Sequence, residues 1–129
     1  NLIIMTDDCS NGNKGFVTDA LKKQLDSGSN YNLVIAIGPL PMMKAICDLT
    51  LKYKIKTIVS MNPIMIDGTG MCGGCRLTVS GKQKFACVDG PDFDGHQVDF
   101  DEAIKRLGAY KKEEQNSLKE HNCNLMKGL

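Results

Sequence analysis

Four residues stand at a spacing that could hold a metal centre: Asp67, Cys72, Cys75 and Cys87, a D-x4-C-x2-C pattern with one more cysteine twelve residues on. Plant-type [2Fe-2S] proteins use C-x4-C-x2-C and a distant fourth cysteine, so Asp67 stands where the first thiolate would be. Carboxylate is a harder donor than thiolate but carries the same formal charge. The exchange should therefore not raise the potential as neutral histidine does in Rieske centres. Gly68, Gly70, Gly73 and Gly74 surround these ligands. A loop that wraps a flat cluster and aims N–H groups at its sulfurs must turn tightly and approach closely, which glycine permits. Three thiolates and a carboxylate would also satisfy tetrahedral Zn2+, and isolated protein could take up zinc in place of iron. Zinc sites tend to use two close ligand pairs, so the spacing favours the cluster. A third reading, cysteines as small buried hydrophobes, fits a glycine-rich loop poorly.

The other candidate groups carry weaker signals. Cys47 falls on the inward face of a predicted helix and reads as core, while Cys9 and Cys123 have no partner at ligand spacing and read as free thiols. His96 and His121 are the only histidines, and no nucleophile, base and orienting acid come together, so a hydrolytic site is not expected. His96, among Asp92, Asp94 and Asp99, is expected to be a solvated loop residue. Met42, Met43, Met61, Met65 and Met71 read as packing around core and loop, with Met71 placed to exclude water.

The elements that must position these residues read as α/β. Leu2, Ile3, Ile4 and Met5 form a short apolar run that predicts a buried strand over 2–6, followed by a loop over 9–15 and a helix over 16–25. The unit recurs as a strand over 33–37, a tight Gly38-Pro39-Leu40-Pro41 turn, a helix over 42–53 and a strand over 57–60. Strands alternating with helices imply parallel pairing, with the ligand crevice at the carboxyl ends of the strands. Thr6-Asp7-Asp8-Cys9-Ser10 and Gly38-Pro39 lie at that edge, where glycine lets a backbone approach a cofactor and a helix N-terminus favours anions; both are also common loop chemistry. Residues 77–79 and 85–87 predict a hairpin around Ser80-Gly81-Lys82, and Asp99 with Glu102 predicts a capped helix from 99 to about 127. The chain thus divides at 1–62, 63–98 and 99–129.

Composition narrows the class. A 129-residue chain with 42% hydrophobic content can form a modest core. A formal net charge of +1 offers no field for nucleic acid or an anionic membrane, and no apolar run approaches the ~20 residues of a bilayer span. The chain reads as cytoplasmic, and six cysteines without a signal peptide point to bound metal rather than disulfides.

The segments TDDCSNGNKGFVTDAL, IGPLPMMKAI, SMNPIMIDGTGMCGGCR and FACVDGPDFDGHQVDFDE together resemble the alpha-subunit family of NADH-dependent ferredoxin:NADP+ oxidoreductases. That family is also described as sulfide dehydrogenase or ferredoxin-NADP reductase alpha subunits, and is related to the electron-transfer subunit of dihydroorotate dehydrogenase. The likeness runs from about Leu2 to Asp101. It implies a ferredoxin-reductase-type protein with an FAD-binding barrel, a parallel-sheet pyridine-nucleotide domain and a C-terminal [2Fe-2S] segment. Such a protein passes electrons between NAD(P)H, FAD and the cluster, beside ferredoxin and a larger iron-sulfur flavoprotein subunit. Asp67, Cys72, Cys75 and Cys87 match the family's cluster ligands, with aspartate first as in this branch and cysteine first in the dihydroorotate branch. Asp7, Asp8, Ser10 and Gly12 match its nucleotide-side loop, Gly38 and Pro39 its turn beside the nicotinamide. Cys9 departs from the glycine usual there. The flavin barrel and first glycine-rich βα unit have no counterpart, so the chain looks like a C-terminal fragment, inactive alone, with weak FAD and NAD(P)H binding. A sheet edge left open this way should self-associate. The check is light scattering behind size exclusion, where a strict monomer at every concentration contradicts it.

Overall fold

The computed structural model describes residues 2–6 and 8–127, with side chains through residue 119. Asp7 therefore lies outside the described residues, as do the side chains of His121 and Cys123.

Apolar residues at helical spacing build α1 (Val17–Asp26), which turns Leu21 and Leu25 inward. Next come β1 (Leu33–Ile37), α2 (Leu40–Lys52) and β2 (Lys56–Ser60). β1 and β2 pair in parallel from Leu33↔Lys56 to Ile37↔Ser60, as alternation of strands and helices implies. Helix α2 starts earlier than the expected turn: Pro39 is its N-cap and Pro41 lies in its first turn, where the missing N–H is no loss.

The sheet has a third strand that the sequence did not announce. β5 (Asp92–Asp94) adds antiparallel to β2, giving the order β1-β2-β5. Before it come a separate hairpin of β3 (Arg76–Val79) and β4 (Lys82–Phe85), and the one-turn helix α3 (Ala86–Asp89). The hairpin turn is Ser80-Gly81, both at positive φ, so the second strand ends at Phe85 and Cys87 sits on α3, not on the strand as expected. After a 3-10 turn (Gly95–Gln97), Asp99 accepts a hydrogen bond from the Glu102 N–H at 2.9 Å and caps α4 (Phe100–Leu107). The single predicted C-terminal helix is two, because α4 ends at Gly108 and α5 (Lys111–Lys127) starts afresh.

The predicted strand over 2–6 is absent. Leu2, Ile3 and Ile4 are exposed, and the one pairing there is an isolated Thr6–Lys14 bridge. An apolar run becomes a strand only beside a partner, and the sheet's neighbours for β1 and β5 are both β2.

The core lies between α2, β2 and α4, where Met43 and Val59 are fully buried and Phe100 and Ala103 pack against the same cluster. Burying a side chain such as Met43 or Val59 stabilises by roughly 1.5–3 kcal/mol each. The solvated Lys44–Asp101 pair across α2 and α4, at 2.6 Å, is a lesser contribution than this burial. One polar chain crosses the core. Thr57 Oγ1 donates to Thr50 Oγ1 at 2.6 Å, Thr50 donates to the Cys47 carbonyl at 3.2 Å, and His96 Nε2 lies 3.1 Å from Thr50 Oγ1. The donors balance when Nε2 carries the proton. His96 is thus half-buried and ties the 3-10 turn to α2, not a solvated loop residue.

Beside it, a Cβ on Gly95 would lie 2.5 Å from Cys47 Sγ and 2.9 Å from Val59 Cγ1. Gly95→Ala is expected to destabilise by about 1–3 kcal/mol through overpacking, seen as a lower urea midpoint at unchanged slope. Adding Cys47→Ala should recover part of the loss; no recovery would mean the strain lies elsewhere.

Candidate metal centre

Strand β2 delivers the chain to the loop at Met61, whose N–H donates to the Pro91 carbonyl at 2.9 Å, so the segment that leaves the sheet there returns to the same place. Asp67 then organises the first turn. Its Oδ1 accepts from the Thr69 N–H at 2.8 Å and its Oδ2 from the Cys72 N–H at 3.1 Å. The Thr69 amide, seconded by that of Cys72, holds this carboxyl below the usual carboxylate range. Gly70 follows at φ 83°, and a Cβ there would meet Val88 Cγ2 at 2.8 Å, so only glycine lets the loop lie against α3.

The sulfurs divide in two. Cys75 is buried and its Sγ lies 3.2 Å from Cys87 Sγ, while Cys72 is exposed and its Sγ accepts from the Gly74 N–H at 3.4 Å. The Cys87 amide directed at Cys75 pulls that thiol down. Sharing a proton with Cys75 pushes the Cys87 thiol up, against the opposing Gly70 amide. Of the two thiols, Cys75 is therefore the more readily ionised.

Cys87 is brought there by the hairpin. Asp89 accepts from the Phe85 N–H at 2.8 Å and pairs with Lys84 at 3.0 Å, fixing α3 on the end of β4. The hairpin is held in turn by Asp99 N–H to the Thr78 carbonyl at 2.9 Å and Ser80 N–H to the Gln97 carbonyl at 2.8 Å. Of the four residues singled out by spacing, Cys75 and Cys87 are in contact. Asp67 and Cys72 are joined to each other through a backbone amide. Among the described residues no three histidine, cysteine, aspartate or glutamate side chains stand at metal-ligating distance. The donor chemistry still fits a sulfur-rich centre: three thiols and a carboxylate share one loop and the helix it packs on, with a main-chain amide aimed at each of the three sulfurs. Met71 is 88% exposed, so it does not shield the loop as expected.

The second group of candidates is less convergent. Asp8 Oδ1 accepts from the Ser10 N–H at 3.0 Å, which lowers its pKa, and the Gly12 N–H donates to the Cys9 carbonyl at 3.0 Å. Cys9 sits at φ 64°, a left-handed conformation that explains why glycine would suit this position. Gly38 sits at φ 153° against Met42, and Pro39 caps α2. Among the described residues no hydrogen bond links the Asp8–Gly12 loop with the Gly38–Pro39 turn.

Residues 62–99 match the family model described as the iron-sulfur cluster binding domain of dihydroorotate dehydrogenase B. A Thermotoga maritima protein named as a homolog of the dihydroorotate dehydrogenase B (NAD(+)) electron transfer subunit is 50% identical over 117 residues, covering 91% of this chain and 41% of its own length. An uncharacterized Clostridium beijerinckii protein is 54% identical over 115 residues, covering 88% of this chain and 39% of its own. A solved structure described as that of the NADH-dependent reduced ferredoxin-NADP oxidoreductase, in a study of flavin-based electron bifurcation, superposes with a TM-score of 0.82. It is 47% identical, over 93% of this chain and 43% of the other. The chain thus spans about two fifths of the relatives it matches.

Cysteine chemistry separates core from loop. Burial pushes the Cys47 thiol up to about 11, from an ordinary 9.0. A raised folded-state pKa means that the neutral thiol's contribution to stability is fully present below 9.0 and is lost as pH rises through about 11. At about pH 8, iodoacetamide should modify exposed Cys9 and Cys72 and spare Cys47, whose labelling rises only towards the higher pH. Peptide mass mapping reads this directly, and early labelling of Cys47 would contradict it.

Proposed function

Residues 62–99 belong to the iron-sulfur cluster binding domain family of dihydroorotate dehydrogenase B, and on that premise we propose that this chain is the cluster-bearing part of an electron-transfer subunit. Its [2Fe-2S] cluster would be held by Asp67, Cys72, Cys75 and Cys87. The observation that carries the reading is the Cys75–Cys87 sulfur pair at 3.2 Å, formed across twelve residues of sequence inside the matched domain.

A bound cluster would supply one-electron acceptance and release. The chain's own residues supply the setting. Cys75, with charge already favoured on its sulfur by the Cys87 amide, and Cys87 beside it give two donors on a fixed base. Asp67 and Cys72 give the other two from the glycine loop, where turning at Gly70 and Gly73 lets main-chain N–H groups face inward. The Asp67 carboxylate at present satisfies the Thr69 and Cys72 amides, so ligation would exchange one of those contacts for metal.

In the longer protein, electrons would pass between pyridine nucleotide, FAD and this cluster, with a larger iron-sulfur flavoprotein subunit and ferredoxin as partners. The ferredoxin-NAD(P) oxidoreductase assignment is supported by 47% identity across 93% of the chain to the bifurcating enzyme's structure. The alternative, an electron-transfer subunit of dihydroorotate dehydrogenase, is supported by the domain family and by the name of the Thermotoga maritima homologue. The larger subunit that co-purifies with the whole protein decides between them. Asp8, Ser10, Gly12, Gly38 and Pro39 would lie on the nucleotide side of the α/β unit, together with Asp7.

Metal and sulfide analysis of protein purified without oxygen tests the centre. The expected outcome is about two irons and two sulfides per chain, both lost in Cys72→Ala, whose exposed side chain makes it a mild change for the fold. Stoichiometric zinc without sulfide after anaerobic reconstitution would establish a zinc-stabilised module instead.

A further inference from the structure

A cavity of about 290 Å³ lies between the loop after β2, strand β3 and helix α4. Of the four proposed ligands only Cys72 touches it; Asp67, Cys75 and Cys87 lie outside. Ile64, Ile66, Leu107 and Tyr110 form its apolar wall, and each is among the exposed large hydrophobic residues of the chain. Their gathering around one hollow is the informative feature, since single exposed apolar residues are ordinary.

Two cations share this wall. Arg76 opens β3 and Arg106 stands in the last turn of α4. Among the described residues the ion pairs are Lys44–Asp101 and Lys84–Asp89, so neither guanidinium has a carboxylate partner. Arg76 Nη1 reaches the Gly73 carbonyl at 3.4 Å, a long contact, and the Arg106 side chain makes no hydrogen bond within the described part of the chain.

An apolar wall with two unpaired planar guanidiniums selects for a flat apolar body bearing one anionic group, because the guanidinium fork matches a carboxylate in a bidentate way. The volume sits at the lower end of small-molecule sites, about 300 Å³, which suits an acid of one or two rings and is too small for a dinucleotide. We propose that this cavity is a binding site for a small cyclic carboxylate, held by Arg76 and Arg106. The site borders the proposed cluster loop at Cys72, Gly73 and Gly74, and its recognition rests on the apolar wall and the two arginines.

The probe is naphthoate, titrated into the chain and followed in the amide NMR spectrum at Ile64, Arg76 and Leu107. Saturable binding at one site is expected. It should weaken at least tenfold for the neutral analogue naphthamide, and at least tenfold in the Arg76→Gln/Arg106→Gln double variant. Arg76 is exposed and Arg106 half-buried, and an unchanged thermal melt confirms that the variant is folded. Equal affinity for acid and amide, undiminished binding in the variant, or no saturation by about 10 mM would each overturn the proposal.

Discussion

The excursion that carries the candidate ligands is pinned at both ends by one point of the sheet. Ser60 pairs with Asp92 in the β2–β5 ladder, and the next residue, Met61, gives its N–H to the Pro91 carbonyl. Residues 62–90 therefore leave and return side by side, and the conformational freedom of that long segment is closed off by a few backbone hydrogen bonds. β5 fixes the hairpin and α3 relative to β2, while the β3–β4 pairing and the Ala86 N–H to Cys75 carbonyl bond, at 3.2 Å, set Cys87 against Cys75. The short strand is thus worth more to the site than its three residues contribute to the sheet.

Closure alone does not set the electrostatics. These come from where main-chain amides point once the loop is confined. Gly70 lies against Val88 because nothing larger than hydrogen fits, and that contact brings its amide to bear on Cys87. The same confinement places the Thr69 and Cys72 amides on the Asp67 carboxylate. Glycine and aspartate do different work in one loop: glycine permits the approach, and the carboxylate gives the resulting inward N–H groups an anion to face. A carboxylate offers these two amides two separate acceptor atoms, whereas a thiolate at position 67 would bring both to one sulfur. This gives the aspartate a local structural role besides that of the proposed ligand.

How far the sequence was legible follows from the range of the forces involved. Asp99 with Glu102 marked the start of α4, and the runs LVIAI and TIVS marked a parallel pair, because capping and apolar runs are local properties. The D-x4-C-x2-C spacing marked a glycine-rich loop whose candidate ligands are near in sequence. What it did not show was nonlocal. Asp92-Phe93-Asp94 has no strand-like composition and is a strand because β2 has an open side. His96 looked solvated among three aspartates, yet Thr50, forty-six residues away, draws its ring into the core. Leu2 to Met5 looked like a strand, and lack of a partner left it irregular, with Leu2, Ile3 and Ile4 exposed. The one clue to His96 was the pair Thr50 and Thr57 at otherwise apolar inward positions, since two buried hydroxyls call for a further polar group.

The two halves of the described chain differ in how their apolar residues are used. In β1, Ala36 and Val34 face α2, whereas Ile35 and Ile37 on the other face are 60% and 70% exposed. A strand apolar on both faces has the composition of a sheet covered by two layers, and here α2 covers one. Beyond Met61 the strands behave otherwise: β3 buries Leu77 and leaves Arg76 out, and β4 is largely lysine and glutamine with only Phe85 turned inward. That is the pattern of a one-sided layer built to sit on α4 and present its other face to water. The change from two-sided to one-sided chemistry falls at the residue where the chain leaves the parallel sheet. It separates a unit composed to be packed between layers from one composed to stand at a surface.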